Sequence, residues 1–74
     1  MGQYDVLKVL ERYNKPLSRT EIARELGHHP RKVSMILKRL IICGEIKTIE
    51  IDRLKAWAEY GSKRRMRLYL LVKR

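Results

Sequence analysis

The chain has a single cysteine, a single asparagine, a single glutamine and no apolar run long enough to cross a bilayer. Each shortage excludes something. With Cys43 alone there is no disulfide framework to staple a small fold, and a lone thiol suits a reducing cytoplasm. No stretch approaches the roughly 20 apolar residues of a membrane span. The N-terminus lacks the charged-then-apolar pattern of a secretion signal, so neither export nor a membrane partner is expected. The scarcity of Asn and Gln, beside abundant Lys, Arg, Glu, Ile and Leu, leans toward a thermophile. Repeats, low-complexity segments and linkers are all missing. Seventy-four residues then make one domain, 1–74, with a modest core.

The usual catalytic constellations are missing as well. Ser18 and Ser34 have no nearby His–Asp partner and no glycine elbow. There is no glycine-rich phosphate loop. Glu21 and Glu25 sit one helical turn apart beside Arg24, as surface charges do. The only histidines are His28 and His29, which as neighbours on a turn do not share a face, and Cys43 lies at the far end of the next helix. No zinc ligand set results. The chain is expected to be no enzyme, and to use no metal or cofactor.

What is present in excess is positive charge. The net charge is +10, and it is unevenly placed. Residues 1–30 hold five basic and four acidic side chains, a balance of +1, whereas residues 31–74 hold thirteen basic and four acidic, a balance of +9. An ordinary solvated surface mixes the signs. A second half this basic suits a polyanion, either nucleic acid or an acidic membrane surface, and charge and motif together favour nucleic acid.

Hydrophobic spacing organises the chain. Val6, Leu7, Val9, Leu10 and Tyr13 form a helical stripe, predicting a helix from Tyr4 to Tyr13. Pro16 disfavours helix at the residue before it, so this helix must stop, and Leu17 anchors the connection. Ser18 and Glu21 then form an S-x-x-E capping box that opens a second helix, which runs to about Leu26 and is closed by Gly27. His28 and His29 make the turn, with His29 at the N-cap position. Pro30 starts a third helix, where its missing N–H costs nothing, and this helix continues to about Cys43 and Gly44. Val33, Ile36, Leu37 and Leu40 share its inner face. Arg31, Met35, Lys38 and Ile42 lie opposite, flanked by Lys32, Ser34 and Arg39.

Within this stretch Ala23, Gly27 and Val33 fall at offsets of four and six, the spacing of a helix-turn-helix. Ala23 must be small where a second helix crosses, Gly27 sits where the turn wants positive φ, and Val33 is the first residue of the following helix to point inward.

After Gly44 the period changes. Residues 45–52 are rich in β-branched side chains and predict a strand. Residues 65–72 (RMRLYLLV) predict a second, with Met66, Leu68, Leu70 and Val72 on one face and Tyr69 in the sheet–helix core. The two should pair as an antiparallel hairpin. The stretch between them, RLKAWAEYGSK, is longer than a tight turn requires, and Asp52 could cap a short helical turn through Leu54, Trp57 and Ala58.

The order of elements, and the pattern S-x-x-E-I-A-x-x-L-G followed by Val33, Leu37, Leu40, Gly44 and Ile46, resembles the prokaryotic and archaeal winged helix-turn-helix family over nearly the whole chain. The basic run Lys63-Arg64-Arg65 before Tyr69 is similar to the return strand of the wing. The resemblance implies an α+β fold of three helices and a C-terminal β-hairpin wing. The helix-turn-helix unit would span about 18–43 and the wing about 45–72.

It also implies sequence-specific binding of double-stranded DNA by a transcriptional regulator, expected from a thermophilic archaeon or one of its viruses. The third helix would enter the major groove and the wing would lie on the backbone or the minor groove. The implied groove readers are Arg31, Lys32, Ser34, Met35, Lys38 and Arg39. Arg and Lys suit guanine O6 and N7, and Met35 suits a thymine methyl. Lys63, Arg64 and Arg65, helped by Arg53 and Lys55, would take phosphates.

Two features depart from the family pattern. Ile41, Ile42 and Cys43 form an apolar run where polar residues are usual, which suggests cover by the long wing or a homodimer through Ile41 and Ile42 or the wing. No helix follows the wing, where many members dimerise. Trp57 and Tyr60, flanked by Leu54 and Ala58, are expected to pack; base stacking is the second reading. The rival functions are an RNA-binding or architectural role, and a protein–protein docking module.

Overall fold

The computed structural model describes residues 2–72. Lys73 and Arg74, part of the basic second half, lie outside the described residues. The elements in chain order are α1 (Gln3–Tyr13), β1 (Leu17–Ser18), α2 (Arg19–Leu26), α3 (Pro30–Ile42), β2 (Ile46–Ile51), α4 (Arg53–Tyr60) and β3 (Met66–Leu71). The class is α+β. The described residues form four helices, where three were expected. Three antiparallel strands lie in the order β1-β3-β2, where a two-stranded hairpin was expected. No helix among them is long and apolar enough to cross a membrane.

Each helix end has a local cause. Asp5 accepts a hydrogen bond from the Gly2 N–H (3.0 Å) at the start of α1, and Asn14, at φ +48°, closes it by donating to the Leu10 carbonyl (3.0 Å). The Ser18–Glu21 box is reciprocal. The Ser18 hydroxyl accepts from the Glu21 N–H (3.2 Å) and the Ser18 N–H donates to the Glu21 carboxylate (3.0 Å). Gly27 ends α2 at φ +69°, a left-handed value that side-chain-bearing residues resist. That turn lets the His28 N–H reach back to the Ala23 carbonyl (3.0 Å). His29 caps α3, its Nδ1 accepting from the Arg31 N–H (3.1 Å).

The main core lies between α1, α2, α3 and one face of the sheet. It consists of Val6, Val9, Leu10, Leu17, Ile22, Ala23, Val33, Leu37, Leu40 and Ile46, with Leu7, Leu26, Ile36, Tyr69 and Leu71 packed against it. Ala23 and Val33 are both buried here, as the spacing requires. Leu17 does more than anchor a connection: it opens β1 and pairs with Tyr69 on β3.

Alternation then splits β3. Tyr69 and Leu71 face the main core, while Met66 and Leu68 face a second, smaller cluster with Ile51 and Ala56. That second cluster is the seat of α4. Asp52 caps α4 by accepting from the Lys55 N–H (2.8 Å), and Ser62 closes it by donating to the Ala56 carbonyl (3.2 Å). The connection between β2 and β3 is therefore a two-turn helix.

Ala56 is its only fully buried residue. Trp57 does not pack, contrary to expectation. It is 59% exposed and Leu54 is 83% exposed, because Ala56 occupies the seat and turns both neighbours outward. Tyr60 lies nearer the body, lining a shallow groove with Thr20, Glu21, Arg24 and Met66. Burial first, then the nearby Glu21 and Glu59 carboxylates, push its hydroxyl pKa up.

Candidate nucleic-acid interface

The sequence of α3 contains four basic residues and no acidic one. With Val33, Leu37 and Leu40 buried, the helix turns Arg31, Met35, Lys38 and Ile42 outward. Met35 is 64% exposed and Ile42 84%, so this face mixes cations with apolar side chains. Lys32 and Arg39 lie along one flank, where with His28, Met35 and Ile36 they line an open depression of about 350 Å³. Ser34 lies along the other flank, half-buried.

Charge along the helix is unusual too. Both α1 and α2 carry an acidic residue in the first turn, Asp5 and Glu21, which suits the positive end of a helix. The first turn of α3 carries Arg31 and Lys32 instead. Cations there disfavour the helix by about 0.3–1 kcal/mol each at low ionic strength. A phosphate near that end would reverse the sign of the interaction.

Arg19 was missed by sequence reasoning. Its guanidinium donates to the Ser34 hydroxyl at 2.8 Å, tying the first residue of α2 to the flank of α3. The same residue lines an open cleft of about 330 Å³ with Ser18, Thr20, Glu50, Arg65, Met66, Arg67 and Tyr69. Arg19 thus links α3 to a cleft at the start of β3 that is also lined by Arg65, expected at the site, and by Arg67, which was not. Glu50 moderates the cleft, pairing with Arg67 at 3.9 Å across the strands; both are well exposed, so the pair contributes little. The only sequence signal for Arg19 was its position just after the capping serine.

Lys63, Arg64 and Arg65 are exposed on the segment leading into β3. The Ser62 hydroxyl holds that segment in a turn, donating to the Arg64 carbonyl (3.1 Å) and accepting from the Arg64 N–H (3.3 Å). Arg53 and Lys55 are exposed on the first turn of α4, which leaves the same end of the β2–β3 pair. The expected residues therefore form two groups, one on α3 and one around α4, with Arg19 and the cleft between them. Ile41 and Cys43, at the end of α3, are exposed as well.

The chemistry on offer is multipoint contact with an anion lattice: guanidinium and ammonium donors for oxygens, and apolar side chains between them. Among the described residues, no group of three or more His, Cys, Asp or Glu side chains could hold a metal ion. Compared with family models, curated proteins and solved structures, the chain matches none.

Proposed function

We propose that the chain is a winged helix-turn-helix protein that binds double-stranded DNA, with α3 in the major groove and the β2–α4–β3 region along the adjacent backbone or minor groove. The observation that carries this reading is the outer face of α3, which is basic without an acidic residue and is joined through Arg19 to the Arg65–Arg67 cleft. Dimensions agree. Thirteen helical residues span about 20 Å, and a helix about 10–12 Å wide suits a major groove about 12 Å wide. Arg31, Lys32, Ser34, Met35, Lys38 and Arg39 would read or line the groove. Arg53, Lys55, Lys63, Arg64 and Arg65 would hold phosphates. Transcriptional regulation is the role that sequence-specific binding by such a small domain would serve. A homodimer through Ile41 and Ile42 would set the spacing of two half-sites.

The test is fluorescence anisotropy with a random-sequence duplex across a salt series. Four or more phosphate contacts, at about 0.9 each, give a slope of log K against log salt steeper than about −3.6. Weak binding with a flat slope would overturn the reading. The exposed Ile41–Ile42–Cys43 run favours one rival, a docking module for another protein. Replacing Arg64 and Arg65 by alanine separates the two, because a loss of DNA affinity larger than removal of two cations elsewhere produces requires that segment to touch phosphates.

A further inference from the structure

The exposed Leu54–Trp57 pair on α4 is unused by any contact described so far. Three residues apart, the two side chains are neighbours on one helix face, with Ala58 completing the stripe one turn above Leu54. Such exposure of a tryptophan needs a cause. Packing does not supply one, since Ala56 is the residue of the helix buried with Ile51, Leu68 and Met66, and Tyr60 is the one that lies in the groove beside Met66.

The surroundings say what would cover the pair. Residues 52–67 hold six basic side chains and two acidic ones. One of those acids, Asp52, is engaged in capping the helix. Arg53 lies one turn before Trp57 on the same helix, Lys55 lies beside Leu54, and Lys63, Arg64 and Arg65 follow on the return segment. An apolar ring within a cationic rim fits a ligand with flat apolar faces on a polyanionic backbone.

A second copy of the chain would bring two such rims together. Two side chains and an alanine also fall well short of the about 800 Å² that each partner buries in a stable protein interface. In a closed duplex, moreover, stacked base faces are hidden, so Trp57 has no surface to meet there.

We propose that Leu54 and Trp57 form a base-stacking wedge, and that the DNA preferred by this protein carries unpaired or readily unstacked bases beside the site of α3. This rests on the DNA-binding reading above and narrows its substrate. Arg53, Lys55 and Lys63 would hold the strand's phosphates while Trp57 takes a base face and Leu54 fills the gap left in the stack.

Trp57 is the only tryptophan, so its emission reports this contact alone. The full chain is titrated with three DNAs of one sequence: a perfect duplex, the same duplex with a short mismatched bubble, and one free strand. Anisotropy and Trp57 emission are read together. The expected result is tighter binding to the bubbled duplex, with saturable quenching of Trp57 by the bubble and the free strand. Trp57→Ala should lower bubble affinity about 5- to 150-fold, the range for loss of one base–aromatic stack, and Trp57→Phe should restore part of it. The side chain is exposed, so neither variant should unfold, as circular dichroism would check.

Equal affinity for duplex and bubble with Trp57 emission unchanged overturns the wedge and leaves the α3 reading standing. No binding to any of the three DNAs overturns both. Anionic phospholipid vesicles that blue-shift Trp57 while bubbled DNA leaves it unquenched would overturn the wedge in favour of a membrane contact.

Discussion

Replacing Arg19 by alanine tests the join between α3 and the β3 cleft. Two effects on stability oppose one another. The variant loses the hydrogen bond to the Ser34 hydroxyl at 2.8 Å; exposed, that bond is worth about 0.5 kcal/mol, the low end for such interactions. It also removes a cation from the first position of α2, which relieves about 0.3 kcal/mol of unfavourable interaction with the helix dipole. The net change is a few tenths of a kcal/mol, within about 2 °C in Tm for a domain this small.

DNA affinity should respond far more. If Arg19 takes one phosphate, the slope of log K against log salt falls by about 0.9. Affinity is then nearly unchanged at 1 M salt, about eightfold lower at 0.1 M and about sixtyfold lower at 0.01 M. Arg12→Ala is the control. It removes the same charge from the far end of α1, where Arg12 pairs with Glu25 at 3.8 Å. Equal losses in the two variants would mean that only overall charge matters, and the cleft would have no special part in binding. An unchanged salt slope in Arg19→Ala would refute the phosphate contact outright.

Two further predictions concern the scaffold. Leu37 is 1% exposed at the centre of the main core, so Leu37→Ala should cost about 2–5 kcal/mol in a urea melt. That is a large share of the roughly 4–11 kcal/mol that 74 residues typically supply, and a loss below about 1 kcal/mol would show that α3 is not seated as described. Tyr13 donates its hydroxyl to Glu25, and that bond, with burial and the carboxylate charge, raises its pKa. A raised folded pKa favours the protonated form. The stability it supplies is therefore complete below the ordinary tyrosine pKa of about 10 and is lost as pH rises through the higher folded value. Urea midpoints of wild type and Tyr13→Phe should differ at pH 8 and converge at strongly alkaline pH; a constant difference would show that the bond is not linked to ionisation.

The helices were legible because their causes are local. Ser18 with Glu21, His29 with Pro30, and Gly27 at positive φ act within a few residues of one another, and all of them operate as their spacing suggests. Burial of Ala23 and Val33 followed from the same short-range geometry. What escaped depends on distance. β1 is two residues long and exists only because Leu17 and Ser18 pair with Tyr69 and Leu68, some fifty positions later. Arg19 meets Ser34 across fifteen residues, and nothing near either one announces the contact. For α4 the cap at Asp52 was visible, but the orientation of the helix was not. Ala56, although small, takes the buried place that a hydrophobicity pattern assigns to Trp57 or Leu54.

These misfits share a location. Elsewhere the chain largely follows local rules, with acidic residues in the first turns of α1 and α2, apolar stripes turned inward apart from Tyr4 and Ile49, and helix ends closed by side chains or by left-handed residues. Around the basic surface it breaks them: Arg31 and Lys32 stand at the positive end of α3, Ile42 faces outward, and Leu54 and Trp57 are exposed beside a run of cations. The cations at the start of α3 cost a little stability in the free protein, and the exposed apolar side chains forgo the gain that burial would bring. An anionic ligand with apolar faces would compensate all of them together, placing phosphate at the start of α3 and bases against the indole. Nucleic acid has that composition. A protein partner would have to combine dense acidic charge with exposed apolar surface, whereas every nucleotide carries a phosphate and a base face, the latter open to contact where the strand is unstacked.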